Sequence, residues 1–446
     1  MAGPVAGSAG GVACAELGMS GVGAWVLGGL LVAGVLGAWR SGWTPAVLGL
    51  SAWLGFWALH GSRLHDQAAV AAWLGTGELV TLDVEVQEMG DGRSFQPDAL
   101  VRVLDRGSAG LSGDEVDGVG VRLGLRGLGR DVLPGDHLRL QGRGIRFGAP
   151  RNPGERDPQR RIARAGRAGE FRVESVEEIG GRRWSPRRLA WQAHQVIRER
   201  IVWGLDESGT AAVVIRALVL GDRATDQVEL FGAFRRSGTM HVFAVSGLHV
   251  GMVGFLAWAI LWCLRVPRAW GLWLVLVVVW SYAMVTGLRP PAMRASIMAS
   301  VFLAGFVLRR GAVPMNALLA SVPIVLALDS FQWRQPGFQL SYLVVATIIL
   351  LAPRFYRPMR RWVEGDAFLP RALYTKPQVA WRRLREKTAA LAAVSAAAWL
   401  GSMPLMWMHF GIVTPAAVLA SMVLVPIVFL MLALAMGGLL ILSLIH

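Results

Sequence analysis

Lysine and cysteine are nearly absent from this sequence. Among its 45 lysine and arginine residues only Lys376 and Lys387 are lysines, and its two cysteines, Cys14 and Cys263, lie in or near apolar stretches. The sequence therefore has no cysteine-based zinc site, and its long polar region folds without a disulfide. Neither lysine follows a glycine-rich P-loop, which argues against nucleotide hydrolysis. We expect no cofactor and no bound metal.

Charged residues of either sign are also scarce. They make up 17% of the 446 residues, against 54% for hydrophobic residues, whereas about a quarter of the residues in a soluble chain are charged. The apolar residues form charge-free blocks, and about 20 such residues cross a bilayer. The composition excludes an ordinary soluble protein and predicts a polytopic α-helical membrane protein. The predicted spans cover residues 21–39, 43–60, 241–264, 269–288, 292–308, 315–328, 338–353 and 389–410, with one long span or two short ones between 412 and 445.

The remaining charge is mostly positive, with a net value of +15. Such an excess requires anionic partners, which are membrane lipids, nucleic acid or both. Basic residues occur at every second connection between the predicted spans, and the positive-inside rule places those connections in the cytoplasm. Residues 61–240 then lie on the outer side of the membrane. The basic connections contain Arg265, Arg268, Arg309, Arg310 and the loop 354–387.

The polar region begins with five short segments that alternate between apolar and polar residues. They are "ELVTLDVEVQ", "DALVRVLDR", "VGVRLGLRG", "GDHLRLQGR" and "EFRVESVEEI". Short alternating strands separated by glycine and aspartate predict a small β-barrel of the OB type. We assign residues 61–185 to this extracytoplasmic domain. Residues 186–240 follow as amphipathic helices that lie at the membrane interface.

An arginine-rich segment, "RNPGERDPQRRIARAGRAG", separates the last two predicted strands. Clustered arginines are typical of a surface that binds phosphate. A solvated charged face is the alternative, and the sequence leaves both open. The candidate DNA-binding residues of the outer domain are Arg151, Arg156, Arg160, Arg161, Arg164 and Arg167.

Polar residues also interrupt the apolar stretch "HVFAVSGLHVG". On a helix Ser246 and His249 share a face, and the Gly247/Gly251 pair has the GxxxG spacing that allows close helix packing. One interpretation is a polar face that lines a conduit. A second is structural packing, in which the polar side chains satisfy one another and nearby carbonyl groups. The third is an intramembrane serine hydrolase in which His249 or His409 acts as the base.

Two later segments place polar residues inside predicted spans. "TGLRPPAMRAS" contains two arginines, and an arginine inside a span costs roughly 2.5–3.5 kcal/mol, so it usually lines an aqueous path or has a partner. "PGFQLSYL" enters a span just after a Pro-Gly break, and broken helices often mark transport sites. We predict a translocation path for an anionic polymer. Its candidate residues are His241, Ser246, His249, Arg289, Arg294, Gln339 and Ser341.

These segments resemble the ComEC family of competence proteins. The similarity lies in "RALVLGDRATDQVELFGAFRRSGTMHVFAVSGLHVG", in "VTGLRPPAMRASIMASVFLAGFVLRR" and in "PGFQLSYLVVATIILLAP". The resemblance implies a bacterial inner-membrane channel for single-stranded transforming DNA. It also implies an extracytoplasmic DNA receptor and a cytoplasmic helicase-like motor as partners, and it leaves the oligomeric state open. Two spans in residues 1–60 would precede the outer domain, and residues 241–446 would form the membrane channel.

Many members of that family add a metallo-β-lactamase-like domain that is thought to act as a nuclease. No His-x-His-x-Asp-His run occurs in this sequence, and it stops in an apolar segment. We therefore expect a chain that is truncated or naturally short, that lacks the nuclease and that is not an enzyme. The alternatives to a DNA channel are the intramembrane hydrolase and an exporter of an anionic lipid or polysaccharide.

Overall fold

The chain folds into two compact units, which are described separately. The computed structural model describes residues 44–74, 77–89, 99–105, 121–128, 132–145, 147–148, 157–178, 185–206, 209–222, 245–308, 312–363 and 375–445. The first unit contains residues up to Ala193 together with Val322–Gln335, and the second contains His194–Ser321 and Pro336–His446.

In chain order the described elements are α1 (Thr44–Leu74), β1 (Leu79–Met89), β2 (Ala99–Asp105), β3 (Arg122–Arg126), β4 (His137–Gly144), α2 (Pro158–Arg164), β5 (Arg167–Glu178), α3 (Pro186–Arg200), α4 (Thr210–Val219), α5 (Gly247–Cys263), α6 (Arg268–Val285), α7 (Pro290–Val307), α8 (Pro314–Leu328), a 3-10 helix η1 (Ser330–Arg334), α9 (Pro336–Val363), α10 (Lys376–Phe410) and α11 (Ala417–Ile445).

The first unit is built around a small β-barrel. Its five strands close in the order β1-β2-β3-β5-β4, with β1 also paired to β4. The pair β3–β5 is parallel and the other neighbours are antiparallel. All five strands coincide with the alternating segments of the sequence, because alternate residues point to opposite faces of a strand. The prediction of a small barrel is thus confirmed.

Alternation places branched apolar side chains inside the barrel. Fully buried residues from all five strands form this core. They include Val84, Val86, Val101, Leu123, Leu125, Leu140 and Phe171. Gly144 and Gly169 leave room at one end of the barrel for Leu74, the last residue of α1, whose atoms would overlap a Cβ at either glycine. The barrel is therefore closed at that end by the helix that precedes it.

Helix α1 extends further than the sequence predicts. The predicted span ends at residue 60, and residues 61–74 are assigned from the sequence to the β-domain, whereas the helix runs without a break to Leu74. Among the described side chains, the buried ones in this extension and at the residue before it are His60, Gln67, Val70 and Leu74. Two of these four are polar, so the segment does not have the apolar stripe by which a buried helix is recognised in a sequence.

The second unit is a set of apolar helices. Within the described residues five helices are long and apolar enough to cross a membrane. They are α6, α7, α10, the Pro336–Arg360 part of α9 and the Ala417–Gly438 part of α11. The final apolar run is one helix, which decides between the two options left by the sequence. The shorter apolar helices are α4, α5 and α8.

Some other predicted features can be compared with the structure, and some lie outside the described residues. The span predicted to begin at residue 241 starts as a helix only at Gly247. Gln335 separates η1 from α9, so the predicted break before residue 338 is a true interruption between α8 and α9. The predicted span 21–39, Arg151, Arg156 and His241 lie outside the described residues.

Candidate functional site: a buried arginine at a helix break

The strongest polar feature of the helical unit is a buried arginine near the start of α7. Two prolines at 290 and 291 begin this helix, as their fixed φ favours. Arg294 follows one turn later and is only 1% exposed. Its Nη2 donates a hydrogen bond to the main-chain oxygen of Gly337, at 2.9 Å. A buried charge needs such a partner because desolvation is costly.

The partner carbonyl belongs to the first turn of α9, which begins at Pro336. The arginine thus joins α7 to the place where the helical backbone restarts after η1. Tyr342 lies one turn further along α9, and its hydroxyl is 3.1 Å from the Ser321 hydroxyl on α8. Among the predicted path residues, Ser341 is partly buried on the same helix. The sequence placed Arg294 and the α9 entry in one path, and the structure brings them into contact.

Ser246 and His249 form a local pair at the start of α5. Ser246 is the residue that caps the helix, not a residue within it. The Nδ1 atom of His249 is 2.9 Å from the serine Oγ and accepts the main-chain N–H of Ser246 at 3.3 Å. The side chains therefore close the first turn in the manner of a capping box. His249 is buried, with 1% of its surface exposed.

The start of α5 lies against α7. A Cβ placed on Gly247 would be 3.4 Å from the Cβ of Ala295, which is an ordinary contact. Ala295 is the neighbour of Arg294 in the chain, so the capped end of α5 and the buried arginine occupy the same region. This distance does not require a glycine, so the packing role of Gly247 stays a prediction.

Gly251 does not fit its predicted role. Among the described residues, a Cβ at Gly251 would meet no atom within 4 Å, whereas one at Gly254 would be 3.2 Å from Val279. Among the described glycines of the helical unit, close approach is tightest at Gly401 of α10, where a Cβ would lie 2.8 Å from the Cβ of Thr347 on α9. The GxxxG spacing is present, but the helix turns its second glycine away from its neighbours.

The other candidate base of the hydrolase hypothesis has a different contact. The Nε2 atom of His409 is 2.8 Å from Oε1 of Gln339. This bond joins α10 to the first turn of α9. Gln339 is therefore engaged in helix packing at the same end of α9 that accepts the hydrogen bond of Arg294.

Arg289 belongs to a second polar cluster, which the sequence did not reveal. It donates to the main-chain oxygen of Gly221, and Tyr282 donates to that of Val219 at 2.9 Å. Asp222 is 3.2 Å from both His194 Nε2 and Arg198 Nε on α3. Burial alone would raise the pKa of Asp222. The hydrogen bond and the charge of His194 oppose it, and so do the charges of Arg198 and Arg289, so that the pKa is lowered overall.

This cluster holds Arg289 in a structural position. The turn before it contains Gly287 and Leu288 with positive φ, and the main-chain oxygen of Val285 is 2.8 Å from Nδ1 of His194. The only sequence signal for the cluster was a single aspartate after the apolar run "RALVLG". Arg289 thus orders the α6–α7 turn, whereas Arg294 enters the helical interior.

The predicted arginines of the outer domain are spread over two elements. Arg161 and Arg164 are exposed on α2, and the Arg160 side chain lies outside the described set. Arg167 starts β5 and is partly buried. Burial is the main cause that lowers the pKa of Arg167. The charge of Glu170 opposes it, while the charges of Arg161, Arg122 and Arg126 add to it.

Comparison with known proteins decides the family. Residues 218–446, just over half of the chain, match the family model described as Competence protein. The chain belongs to the competence protein family. This competence chain is 29% identical over 232 residues to ComE operon protein 3 of Bacillus subtilis (strain 168), covering 52% of the chain and 26% of that protein.

A second relative is competence protein ComA of Neisseria gonorrhoeae, which is 32% identical over 158 residues, covering 33% of the chain and 23% of ComA. The competence chain thus spans about a quarter of the length of the curated relatives it matches. No solved structure matches it significantly. Family membership and the long apolar helices together identify a multi-pass membrane protein. The matched region contains Ser246, His249, Arg289, Arg294 and Gln339.

Proposed function

We propose that this chain is the channel through which single-stranded DNA crosses the bacterial inner membrane during natural competence. The name of one relative refers to competence, and the region that matches the Competence protein family model contains the buried arginine. The other expected partners are an extracytoplasmic DNA receptor and a cytoplasmic helicase-like motor. The chain has no P-loop of its own, so an external motor would supply the energy.

The observation that carries this proposal is the position of Arg294. Its positively charged guanidinium is buried and donates to a main-chain oxygen, which carries no formal charge. Such a charge in an apolar surrounding attracts an anion far more strongly than it would in water. Its partner lies at a helix break, and irregular backbone at membrane depth is tolerated where it is buried in protein or lines a cavity.

The barrel supports the same function. A five-stranded closed barrel is the architecture of OB-folds that bind oligonucleotides. We propose that residues 61–240 face the outside of the membrane and that the arginines of α2 hold the DNA backbone without sequence preference. Membrane lipids surround the helical unit.

The test is DNA import by cells that carry Arg294→Gln. We expect normal membrane abundance and normal DNA binding at the cell surface, with DNase-protected internal DNA reduced at least tenfold. Arg294→Lys keeps the charge but lacks the planar fork of donors, and we expect it to restore import in part. Gly251→Ala serves as the control because its added methyl group meets open space. Full import by the Arg294→Gln protein would refute the cationic path.

An intramembrane hydrolase is the second candidate, and the 2.9 Å distance between Ser246 Oγ and His249 Nδ1 favours it. That pair also caps a helix, so the capping role must be separated from catalysis. Ser246→Asn keeps a good capping residue but removes the nucleophile. A channel retains most of its import with this variant, whereas a hydrolase loses all activity.

A further inference from the structure

A line of arginines crosses the outer face of the barrel. In the strand register Arg102 of β2 is the direct partner of Arg122 of β3, and Arg122 is the direct partner of Arg167 of β5. Like charges placed directly opposite one another on neighbouring strands destabilise a sheet. The inward neighbours Val101 and Leu123 are fully buried, so the barrel core fixes the backbone positions of this row.

Carboxylates compensate the row only in part, and Glu85 of β1 lies directly opposite Arg102 in the strand register. Arg122 pairs with Asp329 at 3.0 Å. Within the described residues neither Arg102 nor Arg167 forms an ion pair. The arginines elsewhere on the barrel differ in this respect, because Arg139 pairs with Asp83 and Arg143 pairs with Glu174.

A fourth arginine lies near the same place. Arg63 of α1 donates to Ser330 Oγ at 3.4 Å and to the main-chain oxygen of Ala327 at 3.2 Å. Ser330 follows Asp329, the partner of Arg122, so the two arginines contact adjacent residues. Both of the oxygens that Arg63 contacts are uncharged. Positive charge therefore accumulates where α1 and η1 meet strand β3.

We propose that the row Arg102–Arg122–Arg167 is a phosphate-binding track for a single nucleic-acid strand. The proposal rests on the function proposed above and adds a site distinct from the α2 arginines. Neighbouring strands are about 4.8 Å apart, so three residues across two spacings extend about 10 Å. Each strand of B-DNA carries one phosphate per about 3.4 Å of helix axis, and the wider separation of phosphates along an extended strand still brings two of them to the row.

The linear arrangement favours a polyanion over an isolated lipid headgroup. One headgroup phosphate is satisfied by one or two guanidinium groups, whereas a chain of phosphates engages all members of a line. Asp329 pairs with Arg122, the middle member of the row, and an incoming phosphate would compete with that carboxylate. Removal of the carboxylate should therefore strengthen binding.

The experiment measures binding of a fluorescent oligothymidylate to the purified full-length chain in zwitterionic lipid nanodiscs, as a function of salt. Arg102→Gln and Arg122→Gln should each reduce the slope of log affinity against log salt by about 0.7, the value for one phosphate contact of a single strand. Arg143→Gln is the matched control, since it removes a paired barrel arginine that lies outside the row, and its slope should stay at the wild-type value.

A second pair of variants tests the competition. Asp329→Asn should tighten binding several-fold, whereas Glu174→Gln, which adds the same net charge beside Arg143, should not. Equal effects of the two carboxylate variants would overturn the track, because the barrel would then respond to net charge alone. The row variants could instead weaken binding to phosphatidylglycerol in the nanodiscs and leave binding of the oligonucleotide unchanged. That result would assign the row to lipid and would also overturn the track.

These outcomes separate the track from the proposed function. Normal binding by the row variants together with normal import would remove the track and leave the channel intact. If DNA import does not depend on Arg294 but oligonucleotide binding still depends on the row, the channel proposal is refuted and the track remains.

Discussion

At the scale of single residues, the sequence revealed groups that are chemically out of place. Ser246, His249 and Arg294 were found because polar side chains are rare in apolar runs. The glycines were harder, because GxxxG spacing specifies that two glycines share a face but not what that face contacts. Gly251 faces open space among the described residues, while Gly401 packs against Thr347 without any glycine at the matching spacing.

We expect Gly401→Ala to destabilise the protein by about 1–3 kcal/mol, the usual cost of overpacking a well-packed contact. Its methyl group would overlap Thr347 unless α9 and α10 move apart. Gly251→Ala should be neutral or stabilising by up to about 1 kcal/mol, because alanine favours a helix more than glycine does. Thermal unfolding in detergent, followed by tryptophan fluorescence, compares the two proteins. A similar melting temperature for both would contradict the packing of α9 on α10.

At the scale of elements, regular alternation made the five strands predictable to within a few residues. Helix α1 was predicted only as far as its apolar half. Its second half contacts η1 through a 2.8 Å hydrogen bond between His60 Nδ1 and Ser330 Oγ. It also contacts β5 through Gln67, which donates to the main-chain oxygen of Arg167 at 2.6 Å. Partners so distant in sequence leave no local signal, so polar packing of this kind escapes sequence analysis.

Helix α2 gives a prediction at the same scale. Its exposed arginines are free to approach a phosphate chain without rearrangement. Replacing Arg161 and Arg164 with glutamine should reduce the salt slope of oligonucleotide binding by about 0.7 for each arginine that neutralises a phosphate. The control replaces Arg354 and Arg357 on α9 with glutamine, which removes the same charge. If both double variants keep the wild-type slope, the α2 arginines are a solvated face.

At the scale of the whole molecule, composition and hydropathy were sufficient to predict a multi-pass membrane protein with a barrel domain. They were not sufficient to fix its orientation, which rests on the alternation of basic connections. The arginines at the end of α9 and the basic residues at the start of α10 carry much of that charge, whereas Arg371 is the one basic residue of the sequence between the two helices. The positive-inside rule therefore predicts that the barrel and the end of α9 lie on opposite sides of the membrane.

We expect the barrel outside and the end of α9 in the cytoplasm. After both native cysteines are replaced by serine, Val176→Cys on β5 should react with a membrane-impermeant maleimide in spheroplasts. Trp362→Cys on α9 should react only after lysis. Both positions are exposed, at 44% and 57%, so unequal labelling reflects the membrane and not burial within the protein. Labelling in the reverse order would require an inverted topology.

Because α1 is one unbroken helix that ends at the barrel, it fixes the direction of the side chains that contact the first unit as well as their spacing. His60, Gln67 and Leu74 are spaced seven residues apart along one helix face, and each touches a different part of the first unit. A helix advances about 100° per residue, so one alanine inserted after Gln67 would turn Leu74 away from the barrel end. Four inserted alanines would nearly restore the direction but lengthen the helix by about 6 Å. The rotation of the barrel about the axis of α1 is thus set by the number of residues in the helix. Cysteine crosslinking from β5 to η1 in such insertion variants would measure it.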